Sequence, residues 1–502
     1  MLEKITQIND SINGFVWGPV MLVGFIAVGL LFTLLTKVFQ ISHIGLWMKS
    51  TFLAIFRRRD VRKTEEKHAI SQFQSLCTAL AATVGTGNIV GVATAIALGG
   101  PGAVFWMWLS AFLGMMTNYA ENTLGIKYRF KNKKGEWVGG AMHYMERGFA
   151  EKKSSFWKPL GKVFAVLFSI FCLLASFGIG NMSQGNSIAA GIQGAFFPKL
   201  SESYIFPGSA VFGQITWVKA IVAVIIMVFV ALVVIGGIKR IASVAEKVVP
   251  FMVVLYLIGG LIIIFAHVTN VGNAFKLIFG EAFKAQSVVG GFAGYGLAAA
   301  MRRGISRGVF SNEAGLGSSV MVHSASDVKE PVQQGMWGIF EVFADTIVVC
   351  TITALSILAS GAYDLGGHLQ AIAGGGGLTD AMTGAGLTQA AFSTVFGAVG
   401  APFVSIAILL FAFSTILGWS YYGERAWTYL FGDRATVIYK VIFIVVIFIG
   451  CTSGLSLVWD ISDTFNGLLA LPNLIALIIL SPHVYKMTKD YLKRRKEGKT
   501  QD

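Results

Sequence analysis

Charge is scarce in this chain. Asp, Glu, Lys and Arg supply 13% of 502 residues, against 55% hydrophobic, and the mean hydropathy is +0.68. That shortage excludes disorder, which needs a far more polar composition, and argues against the roughly three soluble domains that the length alone would suggest. Cysteine is scarcer still: Cys77, Cys172, Cys350 and Cys451 all lie in apolar stretches. A disulfide scaffold is therefore excluded, and buried packing is the role expected of all four. The seven histidines (His43, His68, His143, His267, His323, His368 and His483) include no pair with metal-ligand spacing on one helix, and no nucleophile stands beside an obvious base. Nothing here reads as an enzyme. Nor does any stretch read as the polar or charge-ringed filter of a channel, although a channel without gradient coupling is the alternative the composition leaves open.

What the chain has is long apolar runs. Eleven lie near 17–37, 72–98, 102–126, 162–192, 217–237, 248–268, 286–312, 333–361, 391–421, 438–455 and 457–481. Runs of about 20 apolar residues span a bilayer as helices, so the expected fold is an all-α polytopic membrane protein whose main partner is lipid. The first run lacks a basic segment before it and a small-residue cleavage pattern after it, and reads as a retained helix. A net charge of +14 would suit nucleic acid, but position argues otherwise. With the N-terminus outside, only Lys4, Lys199, Lys219, Lys276 and Lys284 of the 40 Lys and Arg fall on the outer side, leaving 35 within. That is the positive-inside pattern of a multi-pass protein of the cell membrane with a cytoplasmic C-terminus, and no nucleic-acid or obligate protein partner is implied. The Lys- and Arg-free stretch 362–390 then lies outside, with Gly374 to Gly377 as a flexible connection.

Beyond an N-terminal helix and basic loop (1–70), ten helices divide into two sets of five, 71–270 and 271–482, before a basic tail (483–502). Five is odd, so successive sets enter the membrane from opposite sides, as inverted repeats do. The first helix of each set is interrupted by glycine, at Val84-Gly85-Thr86-Gly87-Asn88 and at Gly290-Gly291-Phe292-Ala293-Gly294-Tyr295-Gly296. Either run alone suits close helix packing; in matching places they suit two broken helices around a site at the bilayer midplane. A break at Gly85 to Gly87 offers free N–H groups to a carboxylate, with Thr86 and Asn88 beside it. The opposing break offers carbonyls to an ammonium group or sodium, so the pair suits a zwitterion. Gln184, between Asn181 and Asn186, is a further polar candidate or an interhelical hydrogen-bonder. Ser414, Thr415 and Trp419 form another polar group within a span. Glu341 and Asp345 share one helix face, and Glu313, near Arg303 and Arg307, reads as an inner gate or structural ion pair.

On Ala81-Ala82-Thr83-Val84-Gly85-Thr86-Gly87-Asn88, Gly99-Gly100-Pro101-Gly102-Ala103, Gly139-Gly140-Ala141-Met142, Arg307-Gly308-Val309-Phe310-Ser311-Asn312-Glu313-Ala314-Gly315 and Gly418-Trp419 with Tyr422-Gly423-Glu424, the whole chain resembles the alanine or glycine:cation symporters, of the leucine-transporter fold. The resemblance implies import of a small neutral amino acid with sodium by alternating access, through a ten-helix inverted-repeat core plus one N-terminal helix. It places the substrate carboxylate at Thr86, Gly87 and Asn88, Gln184 at the substrate, and Phe292 and Trp419 as aromatic walls. It implies sodium between the Ala81 and Val84 carbonyls and the Ser414 and Thr415 hydroxyls. Alanine, glycine, serine and glutamine all remain open as substrate.

Overall fold

The computed structural model describes residues 2–206, 215–284, 288–289, 292–293, 296–373, 378–453 and 456–499. We number its long helical segments α1 (Thr6–Leu35), α2 (the bent pair Gln72–Thr83 and Gly87–Gly99), α3 (Ala103–Tyr128), α4 (Trp157–Phe196), α5 (Trp217–Val234), α6 (Gly237–Ala266), α7 (Leu297–Asn312), α8 (Pro331–Ala359), α9 (Gly384–Phe431), α10 (Asp433–Thr452) and α11 (Asp460–Lys496). Eight are long and apolar enough to cross a membrane, nine with α2. Eleven is reached only by adding α3 and α7. The first carries Asn118, Glu121 and Asn122 on an almost wholly buried surface, and the second has 16 residues.

Local chemistry sets the helix starts. Ser71 and Gln74 form a reciprocal capping box at α2, Thr216 accepts from Lys219 N–H at α5, and Pro331 opens α8. α5, α6 and α10 turn Ile225, Phe229, Phe251, Val254, Val441 and Val445 outward, as helices solvated by lipid do. Their inner faces, with α3 along α7 and α8, enclose a core rich in small residues. All four cysteines are free and buried.

Two expectations need correction. The described part of the stretch 362–390 is mostly helical and not a loop: Leu365–Ala373 is a helix and Gly384–Phe396 begins α9, with Thr388 Oγ1 donating to the Ile89 carbonyl at 3.3 Å, while Gly374 to Gly377 lie outside the described residues. Its Gly, Ala and Thr composition resembles a linker while packing well against a neighbour. The glycine-rich 290–296 stretch holds no broken helix among its described residues. Val288–Val289 pairs antiparallel with Phe292–Ala293 ahead of α7, and Gly290, Gly291, Gly294 and Tyr295 lie outside the described residues. The second interruption falls after α7, where Glu313, Gly315 and Gly317 take positive φ (56°, 91° and 75°) before a four-residue helix, Val320–His323. A non-glycine residue in the left-handed region is costly, and it is held here by the side-chain bonds described next.

Candidate functional site

The interruption of α2 is written in its hydrogen bonds. In an unbroken helix Gly85 N–H would close on the Ala81 carbonyl and Asn88 N–H on that of Val84. Instead Gly85 donates to Asn88 Oδ1 at 2.9 Å, and Asn88 N–H to the Gly85 carbonyl at 3.3 Å. Val84 leaves helical geometry with ψ 86°, and the two halves meet at 50°. The Ala81 and Val84 carbonyls thus lose their helical donors, while the N–H groups of Thr86 and Gly87 stand at the start of the second half, where a helix leaves its first donors unpaired. Glycine at 85 is required by packing: a Cβ there would overlap Thr415 Oγ1.

Two π-helical segments shape the neighbouring walls. In α4, Gly178–Met182 turns the Ile179 carbonyl toward Ser183 Oγ (2.8 Å) and Gln184 Nε2 (3.0 Å). Because that carbonyl must face the amide nitrogen, Gln184 Oε1 points the other way, buried and without a donor among the described residues. In α8 the segment Phe343–Cys350 carries Asp345, which ties the two interruptions together. Its Oδ1 accepts from Asn88 Nδ2 at 2.7 Å, and its Oδ2 from Ser311 Oγ at 2.8 Å and Thr346 Oγ1 at 2.7 Å. Glu341, four residues earlier on the same helix, has other partners. Glu341 Oε2 meets His323 Nε2 at 2.9 Å and Asn118 Nδ2 at 3.0 Å.

The Glu313 carboxylate closes the second interruption, accepting from Trp419 Nε1 at 2.9 Å and from Ser318 Oγ. It is not paired with Arg303 or Arg307. Arg307 stands 3.7 Å from Asp463, its guanidinium over the Phe310 ring, and the Arg303 side chain packs against Gly99. Glu313 leaves the helix that carries both arginines with a positive φ and turns away from them. Gly99 ends α2 at the end away from the basic loop that precedes it, so Arg303, with Arg302 and Arg307 on the same helix, does not stand with the basic loops as the charge count assumed.

Between the interruptions lies a cavity. α2 lines it with Ala82, Thr83, Gly85, Thr86 and Gly87, α4 with Ile179 and Gln184, α7 and its end with Phe310 and Glu313, α9 with Thr415 and Trp419, and α11 with Asn466. Of the residues singled out in the sequence, Thr86, Gly87, Gln184, Thr415 and Trp419 meet there. Asn88 does not: fully buried, it is spent on Gly85 and Asp345. Ala81, Val84 and Ser414 stand behind the wall, Ser414 Oγ donating to the Phe411 carbonyl at 2.8 Å and Thr415 Oγ1 to the same oxygen at 3.0 Å. The side chain of Phe292 lies outside the described residues, and the aromatic ring that α7 brings to the cavity is Phe310. Asn466, an amide within an apolar span, was not singled out, although a lone amide in such a run is a usable signal.

Comparison with known proteins agrees with this architecture. The family model described as the sodium:alanine symporter family matches residues 2–502. The chain is 42% identical over 495 residues to the sodium/alanine symporter AgcS of Methanococcus maripaludis, covering 99% of each protein. It is 35% identical over 502 residues to the probable sodium/glutamine symporter GlnT of Bacillus subtilis, covering 99% of this chain and 93% of that one. Among solved structures it resembles MhsT in complex with L-phenylalanine, at a TM-score of 0.51 and 15% identity over 84% of this chain and 99% of that one, which shows a shared fold, that of the leucine transporter.

Proposed function

This chain belongs to the sodium:alanine symporter family and is a secondary transporter embedded in a membrane, and we propose that it imports alanine or glycine together with sodium. The observation that carries the reading is the cavity between two interrupted helices, where a few polar groups converge among apolar ones. The relative named as a sodium/alanine symporter is 42% identical to this chain and the one named as a probable sodium/glutamine symporter 35%, which favours a small substrate over glutamine. The substrate carboxylate takes the N–H groups of Thr86 and Gly87 at the positive end of the second half of α2. Asn88 contributes by holding that end in place, and Trp419 is a wall of the pocket.

Sodium takes the Ala81 and Val84 carbonyls freed by the break, with the Ser414 and Thr415 hydroxyls. Both hydroxyls donate their protons to the Phe411 carbonyl, which leaves their lone pairs for a cation. Sodium there links α2 to α9 and so stabilises the arrangement that receives substrate, and occupation of both sites favours closure before the inner side opens. The repeats 71–270 and 271–482 are the bodies that rock. The N-terminus is outside and the basic tail inside the cell membrane.

Radiolabelled alanine uptake into vesicles containing the purified protein tests this. Accumulation is expected under an inward sodium gradient and not with potassium in its place; equal uptake in both refutes coupling. Thr415→Val is expected to raise the half-saturating sodium concentration roughly tenfold, the worth of about 1.4 kcal/mol. Unchanged sodium dependence would remove Thr415 from the ion's shell.

A further inference from the structure

The cavity has a second pole that the family's broken helix does not account for. Besides Thr86 and Gly87, the cavity is lined by three polar side chains from three other segments that bring acceptor oxygens. Gln184 lines the cavity, and while its amide nitrogen is held by the Ile179 carbonyl its buried Oε1 meets no donor among the described residues. Asn466 Oδ1, on a residue 1% exposed, meets no donor among the described residues. Glu313, 4% exposed, has one partner on each carboxylate oxygen, and each oxygen keeps a lone pair. No Lys, Arg or His lines the cavity to answer that carboxylate. Two orphaned buried acceptors beside an uncompensated acid form a costly arrangement unless a cationic donor completes it.

We propose that Gln184, Asn466 and Glu313 form the receptor for the substrate's α-ammonium group, with Asn466 as a binding residue on α11. The inference rests on the amino-acid reading above and deepens it. An ammonium has three N–H donors and one positive charge, and it meets three acceptor groups, one of them negative. With the carboxylate at Thr86 and Gly87, the cavity matches a zwitterion end to end. Glu313 thereby has a double duty: it holds the second interruption through Trp419 and Ser318, and it neutralises the cargo.

Competition binding on the purified full-length protein in saturating sodium tests this, with radiolabelled L-alanine against unlabelled L-alanine and L-lactate, in which a hydroxyl replaces the ammonium. Lactate's hydroxyl brings one donor and no charge where the ammonium brings three donors and a charge, so wild type is expected to prefer alanine by about 10²-fold or more. Asn466→Leu is expected to weaken alanine about 10- to 100-fold and lactate far less, narrowing the ratio. Should that variant fail to fold, Asn466→Asp decides: it retains the acceptors and is expected to keep or widen the preference, and a narrowed preference there overturns the proposal. Equal losses of alanine and lactate in Asn466→Leu, or none, overturn it as well. So does a rise in half-saturating sodium with an unchanged alanine-to-lactate ratio, which would assign these oxygens to the coupling ion. Wild-type binding with an indifferent Asn466 sinks this inference alone; a wild type that binds no amino acid sinks the transport reading with it.

Discussion

The two interruptions solve one problem in opposite ways. In α2 the break is held by an amide from the next turn, Asn88, which takes up Gly85 N–H and leaves the following donors free. After α7 the break is held by an acid, Glu313, whose carboxylate draws donors from Trp419 and Ser318. One end therefore shows the cavity hydrogen-bond donors and the other acceptors. The difference teaches that the polarity of the site comes from how each break is stabilised, and that glycine alone does not set it. Asp345 bonds to Asn88 on one side and Ser311 on the other, so the donor end and the acceptor end share one anchor.

The comparison breaks most severely at Gly85. A methyl group there overlaps Thr415, so Gly85→Ala is expected to reduce uptake more than 100-fold and to destabilise the protein by about 1–3 kcal/mol, read from its melting temperature. Adding Thr415→Ala should restore the melting temperature but not sodium affinity, since it removes the clash and a ligand together. Restored uptake with normal sodium dependence would contradict the packing argument. Asp345→Asn keeps the shape of the shared anchor and exchanges its charge-assisted bonds for neutral ones, roughly half as strong. Uptake should fall about 10- to 100-fold with the fold intact by size-exclusion profile, and a variant as active as wild type would show that the two ends work independently. Trp419→Phe keeps an aromatic wall while removing one donor from Glu313. A hydrogen bond to a charged group is worth about 1.5–3 kcal/mol, and Ser318 remains, so a loss of about tenfold in alanine affinity is expected at unchanged sodium dependence. An equal loss in both quantities would mean the ring matters only for packing.

Much of this was legible in the sequence. Apolar runs announce spanning helices, and Val84 to Asn88 announces a break, because glycine within hydrocarbon has few other uses. The second break was misplaced for the same reason: glycine is dense at 290–296, while the residue that turns the chain is Glu313, and nothing in its side chain advertises a positive φ. Asn88 looked like a substrate ligand because its partner, Asp345, lies 257 positions away and only the folded chain brings them together. Asn466 shows the limit from the other side. One amide in an apolar run says that a polar role exists and does not say toward which neighbour.

Gly87–Gly91 in α2, Gly178–Met182 in α4 and Phe343–Cys350 in α8 carry a further consequence. A π segment is a helix holding one residue too many, a dislocation in an otherwise regular lattice. A dislocation travels by exchanging one bond at a time, each five-residue closure giving way to a four-residue one, so it moves without melting the rod that contains it. Expelling it turns everything beyond by about 100° around the helix axis, the angular share of a single residue. Two of these defects put Gly87 and Ile179 in the cavity wall and the third carries the Asp345 anchor, which gives the segments around the site a way to rotate against one another while their backbone ladders stay almost complete.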